Sequence, residues 1–399
     1  MTKIKLHAVA AAFLLGTATL GGATLLMTAP AAAAVRSAVG EPLQQAMALA
    51  AKGDYKGAMA LVDKASAVAD KTGEETSTIG QVKSYIGAKS GDVSLGGAAA
   101  AKNKLASDYA AKNYSGVIAD GEALSKAGAL DSTSAAVVAQ SFYLSGNKAG
   151  CVKYIKGAGA AADEATLQLE MKCAFDLNDS ATQRDALEQL VARTGKAEYW
   201  TQVIKLAQGE KNISDPQSLQ LMRLKYLTGT LSGKDDYINL AQLDLQLGLP
   251  AEAATVLDKG AAAGLLNDDR SKKLQALAKQ QAGQVTAGMD AALAAANKDP
   301  AGDALVKVCL QQYSNGKAKD AVATCQSAQG KTLKDKDSAV VALGLVQVAA
   351  GQSAAAIKTL NADKGDSNGA QIAHLYALYA AHPSAAAASA PAAAPAKKK

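Results

Sequence analysis

Four cysteines are the residues of this chain whose types and spacing most directly suggest chemistry. Cys151 and Cys173 are 22 residues apart, and Cys309 and Cys325 are 16 apart. Thiols form disulfides or bind metals, but no Cys-x-x-Cys pair occurs and the whole chain has only three histidines. A metal site is therefore disfavoured. Composition alone leaves two interpretations open, namely disulfides or free thiols that pack as small apolar side chains.

Candidates for catalysis are scarce. His374 and His382 are the only histidines after residue 34, and neither has a nucleophile nearby in the sequence. Residues 229–235 superficially resemble a phosphate loop, but they lack one spacer residue and the final Ser or Thr. Acidic pairs such as Asp235-Asp236 stand at predicted helix starts, where the helix dipole favours carboxylates. The sequence therefore predicts no enzyme, no cofactor and no metal site.

Composition favours helices that pack closely through small side chains. Aromatic residues make up 4% of the 399 residues while alanine is abundant, and alanine has the best intrinsic helix propensity. The formal net charge of +6 comes mostly from the two ends of the chain. Two lysines near the start and three at the end account for five of the 42 basic residues, and the rest of the chain has 37 basic against 36 acidic residues. Such a balance gives no electrostatic reason to expect a nucleic acid partner.

The first 34 residues have the pattern of a bacterial-type signal peptide. Two lysines precede an uncharged apolar run over residues 8–29, Pro30 follows, and Ala32-Ala33-Ala34 supplies the small residues that a signal peptidase reads. We expect cleavage before Val35, with the mature chain in the periplasm or secreted and without a transmembrane anchor. The alternative is an uncleaved anchor, because the apolar run is long enough to span a bilayer.

A period of 34 residues runs through the chain. Steps of 34 residues in both directions from Gly248 fall on residues in or beside sequences typical of turns. These positions are Lys112, Gly146, Ser180, Ser214, Gly248, Ala282, Gly316 and Ala350. Each period predicts a helix, a turn and a second helix. Asp215 with Pro216 is typical of a helix start, with aspartate as the cap and proline in the first helical position.

Such a helix pair is too small to bury its own apolar face. The chain is therefore predicted to be all-α, a solenoid of stacked helix-turn-helix repeats in which only neighbouring repeats touch.

Short motifs within this lattice resemble those of the tetratricopeptide repeat (TPR) family. Residues 52–58, Lys-Gly-Asp-Tyr-Lys-Gly-Ala, look like the family's turn. Leu343-Gly344, Leu240-Ala241 and Val138-Ala139 resemble its Leu-Gly pair. The resemblance covers residues 35 to about 360 and implies a TPR-like α-solenoid.

The chain also departs from the family pattern. The first-helix tryptophan is mostly missing, with Tyr237 as the nearest substitute, and the position that is usually Tyr is Phe142, Asp244 or Gln312 here. Residues 198–260 are similar to a group of exported proteobacterial TPR proteins, a resemblance that implies no particular activity.

The lattice loses its phase near the N-terminus, where Gly53 is out of register and glycines recur between residues 91 and 97. The predicted organisation is a signal peptide at residues 1–34, N-terminal TPR-like helices at 35–97 with an irregular joint at 91–97, a regular solenoid at 98–365, a capping helix at 366–382, and a disordered Ala/Pro/Lys tail at 383–399.

The predicted solenoid selects one pairing of the cysteines. Cys151 and Cys173 flank the link between adjacent repeats, whereas Cys309 and Cys325 are equidistant from a predicted turn at Lys317. Antiparallel helices bring such residues to the same level, within the reach of a disulfide. Crossed pairings would join repeats several units apart. In an oxidising compartment we therefore expect the bridges Cys151–Cys173 and Cys309–Cys325.

In TPR proteins the first helices of successive repeats line a concave groove. The resemblance assigns this role to the residues at equivalent positions of the 34-residue repeat, which are Gln140, Tyr143, Gln242, Gln246 and Tyr313. Each is equally consistent with an ordinary helix-surface residue. Gln and Tyr offer hydrogen bonds and amphipathic area suited to a protein segment.

We therefore expect a scaffold for protein partners in the cell envelope. The alternative is a cell-wall or polysaccharide-associated module that uses the basic tail, although the low aromatic content argues against it.

Overall fold

The computed structural model describes residues 35–90, 92, 95, 97–158, 162–362, 365 and 367–382. The predicted signal peptide at residues 1–34 and the predicted tail at residues 383–399 lie outside the described residues, as does part of the predicted joint at residues 91–97. These three assignments stay predictions. Within the described ranges, no helix combines the length and the hydropathy needed to cross a bilayer.

Helices account for most of the described residues, and no strand occurs among them. In chain order the helices are α1 (Ser37–Ala51), α2 (Tyr55–Ser66), α3 (Gly73–Ser90), α4 (Ala98–Ala110), α5 (Tyr114–Lys126), α6 (Ser132–Leu144), α7 (Lys148–Ala158), α8 (Glu164–Asp176), α9 (Ser180–Thr194), α10 (Ala197–Gln208), α11 (Asp215–Leu227), α12 (Gly233–Gln246), α13 (Pro250–Ala262), α14 (Asp269–Lys298), α15 (Asp303–Ser314), α16 (Ala318–Gln329), α17 (Lys336–Ala349), α18 (Ser353–Leu360) and α19 (Asn368–Ala381).

The first of two compact units ends at Asn103, and its core lies among α1, α2 and α3. Val39, Val62 and Ile86, one from each helix, are fully buried. Arg36 fastens the start of α1 to α3, because its Nη2 lies 2.8 Å from Oε2 of Glu75. The hydrogen bond from Arg36 lowers the pKa of Glu75 to about 2, so this carboxylate stays ionised as the partner of the guanidinium.

The second compact unit begins at Lys104, and its helices pack mainly against their neighbours in sequence. The turns at Gly146, Gly248 and Gly316 have φ angles of 83°, 77° and 76°. Glycine enters this left-handed region without the steric cost of a Cβ. All three lie on the predicted 34-residue lattice, and each separates two paired helices. The predicted fold class, a TPR-like α-solenoid of stacked helix-turn-helix repeats, is therefore confirmed.

One lattice position is wrong. Ala282 was expected in a turn, yet it lies inside α14, which runs without interruption for 30 residues. The neighbouring Gly283 is a weak helix breaker, since glycine costs only about 1 kcal/mol relative to alanine. Good helix formers surround it and no proline stands within the helix. One long helix therefore replaces a helix pair between α13 and α15.

The last helices of the second unit pack back onto its middle. α19 contacts α9, α10 and α11 as well as α17 and α18, and α17 also contacts α11. Tyr376 of α19 shares one hydrophobic cluster with Trp200 of α10 and Leu221 of α11. The expectation that only neighbouring repeats touch is therefore wrong here. α18 has only 8 residues, too few to cover the broad apolar face of α19, which earlier helices cover instead.

Candidate binding cleft

Helix α11 carries the polar groups of the candidate site into the interior of the second unit. It begins with a capping box in which the Ser214 side chain accepts from the backbone N–H of Gln217 and the Gln217 side chain accepts from that of Ser214. Ser214 is therefore the N-cap, and not Asp215 as predicted. Because α10, α12, α17 and α19 all contact α11, even Gln220 and Arg223 are only 5% and 2% exposed.

Arg223 forms a bidentate ion pair with Glu252 of α13. Its Nε lies 2.5 Å from Oε1 and its Nη2 lies 2.7 Å from Oε2, the parallel geometry in which a guanidinium binds a carboxylate best. Removing both charges from water costs several kcal/mol per ion, which this geometry has to offset. Although burial lowers it, the negative charge of Glu252 raises the pKa of Arg223 well above its usual value. The guanidinium therefore remains charged.

Asp244 of α12 is a second carboxyl group beside this pair. It is fully buried, and its Oδ1 lies 3.9 Å from Nη2 of Arg223. Neither of its oxygens has a hydrogen-bond partner among the described residues. Burial, reinforced by the negative charge of Glu252, raises the pKa of Asp244 well above its usual value. The uncharged acid is therefore favoured, which leaves Arg223 and Glu252 as a neutral pair.

Three tyrosines, Tyr226, Tyr313 and Tyr376, lie within electrostatic range of the Arg223–Glu252 pair; Tyr376 is fully buried and the other two are half-buried. Burial raises the pKa of Tyr226 to about 12, and it raises the pKa values of Tyr313 and Tyr376 above their usual range. Their phenols therefore stay protonated and can only donate or accept hydrogen bonds. The hydroxyl of Tyr376 donates to the carbonyl oxygen of Gln220 at 2.8 Å, which ties α19 to α11.

A cleft of about 260 Å³ lies beside Arg223, between α11, the turn that joins α12 to α13, α15 and α17. Its walls are mainly apolar and consist of Pro216, Leu219, Leu247, Leu249, Val306, Leu310 and Ala339. This volume is slightly below the range of pockets for drug-sized ligands. The cleft therefore suits one or two side chains with their backbone. Its walls come from helices that are far apart in sequence.

The floor of the cleft carries an amide with one unused acceptor. The Nε2 of Gln220 donates to the carbonyl oxygen of Ser338 on α17 at 3.4 Å. Its Oε1 is buried and has no hydrogen-bond partner in the described part of the chain. A buried acceptor without a partner is costly, so a shift of the Gln220 amide that brings this oxygen to a donor in the cleft would be favoured.

Two carboxylates and one ammonium group line the rim. Asp303 accepts from the backbone N–H of Lys334 at 3.1 Å, and Asp335 accepts from that of Ser338 at 2.8 Å. Lys307 also lines the cleft. Its Nζ lies against Gly248, so close that a Cβ added to this glycine would be only 2.7 Å away. The ammonium therefore lies over the turn after α12. Since Glu252 already neutralises Arg223, the rim has one more negative than positive charge.

The five residues assigned to a groove do not line this cleft. Gln140, Gln242 and Gln246 are exposed on α6 and α12, whereas Tyr143 and Tyr313 are half-buried on α6 and α15. Tyr313 lies within electrostatic range of the buried ion pair. Their role in partner binding stays a prediction.

Sequence reasoning missed Gln220 and Arg223, whose only signal is their position inside the otherwise apolar run at residues 219–224.

Both cysteine pairs lie at disulfide distance, in the predicted pairing. The Sγ atoms of Cys151 and Cys173 are 2.15 Å apart with a Cα–Cα distance of 6.5 Å. Those of Cys309 and Cys325 are 1.99 Å apart with a Cα–Cα distance of 5.4 Å. The first pair joins α7 to α8 and the second joins α15 to α16, as expected for helices that pack side by side. Elsewhere in the described ranges, no group of three or more His, Cys, Asp or Glu residues is arranged to hold a metal ion.

Comparison with known proteins adds little to this picture. No protein-family model matches the chain, and no curated protein matches it. Among solved structures, one of Naa15/Naa10 bound to HypK-THB is similar over 82% of this chain, with 12% sequence identity and a TM-score of 0.19. The chain spans 59% of the length of that protein. The fold assignment therefore rests on the helix packing described above.

Proposed function

We propose that this chain is an exported TPR-like scaffold that binds protein partners in the cell envelope. The observation that carries the proposal is the cleft, where stacked helices bring apolar walls and a few polar groups around a concavity of about 260 Å³. Mostly apolar concavities with a few convergent polar groups are the usual form of a binding site. Helical repeat arrays offer such surfaces to helical or extended protein segments.

The buried polar cluster supports a binding role without catalysis. Asp244 is fully buried, and the neighbouring phenols are held in their protonated forms. A general acid or base has to reach a substrate, which a carboxyl group closed off from solvent does not do. We therefore assign no catalytic residue and no cofactor.

Export is supported by the pattern of residues 1–34 and by the two cysteine pairs at disulfide distance, because disulfides persist in oxidising compartments. Fractionation of cells that express a C-terminally tagged chain, followed by N-terminal sequencing, tests this proposal. We expect a mature chain that begins at Val35 in the periplasmic or secreted fraction. A membrane-bound chain that retains residues 1–34 would contradict it and favour an anchor.

Partner binding is tested by photo-crosslinking in cells. A photoreactive amino acid replaces Lys307, which is exposed at the rim of the cleft, and the matched control carries it at Lys272, which is exposed on α14. We expect reproducible protein adducts from position 307 that are absent from position 272. Recovery of glycan adducts without a reproducible protein would contradict the proposal and favour the cell-wall alternative.

A further inference from the structure

We infer that the cleft beside α11 binds a short extended segment of a partner protein in which an aliphatic side chain stands next to a lysine or arginine. This inference rests on the proposed protein-binding function and specifies the chemistry of the bound segment. Three features of the cleft carry it, namely its walls, its floor and its rim.

The walls select for an aliphatic side chain. Leucine, valine, proline and alanine side chains from α11, the turn between α12 and α13, α15 and α17 face the same space. Apolar groups gain from leaving water for such a surface in proportion to the area they bury. The volume of about 260 Å³ admits one or two side chains and their backbone, and it is too small for a whole helix of about 10 Å diameter.

The floor selects for a hydrogen-bond donor. Gln220 is 95% buried, and its Oε1 has no partner in the described part of the chain. A backbone N–H of an extended segment can satisfy this oxygen once the amide shifts toward the cleft, and in an extended segment that N–H has no internal partner. A ligand carboxylate would offer only further acceptors, so the floor disfavours an acidic group.

The rim selects for a cation. Asp303 is the first residue of α15 and Asp335 is the N-cap of α17. Both residues line the cleft. Each carboxylate accepts hydrogen bonds from the chain yet retains lone pairs that can accept more. Lys307 is turned toward Gly248, so its ammonium leaves these carboxylates available. A lysine or arginine beside the buried aliphatic residue therefore meets opposite charge, whereas a glutamate meets like charge.

Binding of capped peptides to the full disulfide-bonded protein tests the inference. The probe is acetyl-Ala-Ala-Leu-Lys-Ala-Ala-amide, measured by titration calorimetry beside its Leu-Glu and Ala-Lys analogues. We expect the Leu-Lys peptide to bind at least about 10-fold more tightly than either analogue. We also expect the advantage over Leu-Glu to shrink in high salt, because rim charges are screened.

Asp303→Asn combined with Asp335→Asn is the decisive variant. Asparagine accepts the same backbone N–H bonds and caps a helix as well as aspartate does, so the fold is kept while two charges are removed. We expect the affinity for the Leu-Lys peptide to fall about 3- to 10-fold, as for two partly exposed ion pairs. The matched control is Asp163→Asn combined with Asp179→Asn, at the N-caps of α8 and α9, and it should leave the affinity unchanged.

Equal affinity for the Leu-Lys and Leu-Glu peptides, or an unchanged affinity in the Asp303/Asp335 variant, would overturn the inference. A failure of every peptide to bind, with protein adducts still recovered from position 307, would overturn it while leaving the proposed function in place. Tighter binding of a peptide that copies residues 383–399 would also overturn it, because the occupant would then be the chain's own end.

Discussion

Replacing Arg223 by methionine tests how strongly the buried ion pair stabilises the second unit. The substitution keeps an unbranched side chain of similar length but removes the charge that faces Glu252 and Asp244, which are 8% and 0% exposed. Removing one partner of a buried pair leaves an uncompensated charge and typically costs about 3–5 kcal/mol. We expect the free energy of unfolding to fall by about this amount.

Urea unfolding followed by tryptophan fluorescence is the appropriate assay. Trp200 is the single tryptophan of the chain, and it is fully buried in α10. Its emission therefore reports the second unit alone, which matters because a chain with two compact units need not unfold in one step. The midpoint should shift to lower urea with an unchanged slope, as for a loss of stability without a change in the surface exposed.

Two controls decide whether the reasoning about Arg223 is right. Lys279→Met breaks an ion pair with Asp258 whose side chains are 54% and 50% exposed, and it should cost less than about 1 kcal/mol. The double variant Arg223→Met with Glu252→Leu should regain most of the loss, because it removes the stranded charge as well. If Arg223→Met costs no more than Lys279→Met, the buried pair does not stabilise the fold as described.

Three further predictions concern the second unit. Burial raises the pKa of Asp244 in the folded state. Its protonated form therefore contributes stability that is complete below the ordinary carboxyl pKa of about 4 and is lost as pH rises through the folded-state pKa. Asp244→Asn should remove this pH dependence of the unfolding free energy in urea titrations from pH 4 to 8. Cys309→Ser with Cys325→Ser should lower the free energy of unfolding by about 3 kcal/mol, and intact mass after alkylation should show no labelled thiol in the unreduced wild type. Gly344→Ala should cost about 1–3 kcal/mol in thermal unfolding, because its Cβ would overlap the side chain of Leu360.

Each of these predictions has a result that contradicts it. A pH profile that is unchanged by Asp244→Asn would mean that this carboxyl group does not titrate during unfolding. Four labelled thiols before reduction would contradict the disulfides. Gly283→Ala is the control for the glycine substitution, since open space surrounds Gly283 on α14 and the change should stabilise by up to about 1 kcal/mol. If both glycine variants behave alike, close packing is not the reason for Gly344.

Features governed by local chemistry could be predicted from the sequence. The turns at Gly146, Gly248 and Gly316 need a left-handed residue, and glycine at a fixed period marks them. The pairing of Cys309 with Cys325 follows from their equal distance from such a turn. In both cases the decisive interaction lies within one helix pair, so the residues that determine it are close together in sequence.

Features that depend on distant segments could not be predicted. The cleft is lined by residues of α11, α15 and α17, which are far apart in sequence, and nothing in the 34-residue period indicates that these helices come together. Asp244 is visible in the sequence as a departure from the tyrosine usual at that family position, but its neighbours Arg223 and Glu252 lie on other helices. Ala282 shows the opposite error, because a periodic pattern predicted a turn that a lone glycine could not enforce.

The packing of α19 on α11 also affects the order in which the chain can acquire its structure. A solenoid held by nearest neighbours can fold its first repeats while later ones are still being synthesised. Here the hydroxyl of Tyr376 bonds to a residue 156 positions earlier, and contacts of such separation slow folding. Until α19 emerges, the apolar surface around Trp200 and Leu221 lacks part of its cover. Nascent or truncated chains that end before α19 should therefore be prone to aggregation and dependent on chaperones.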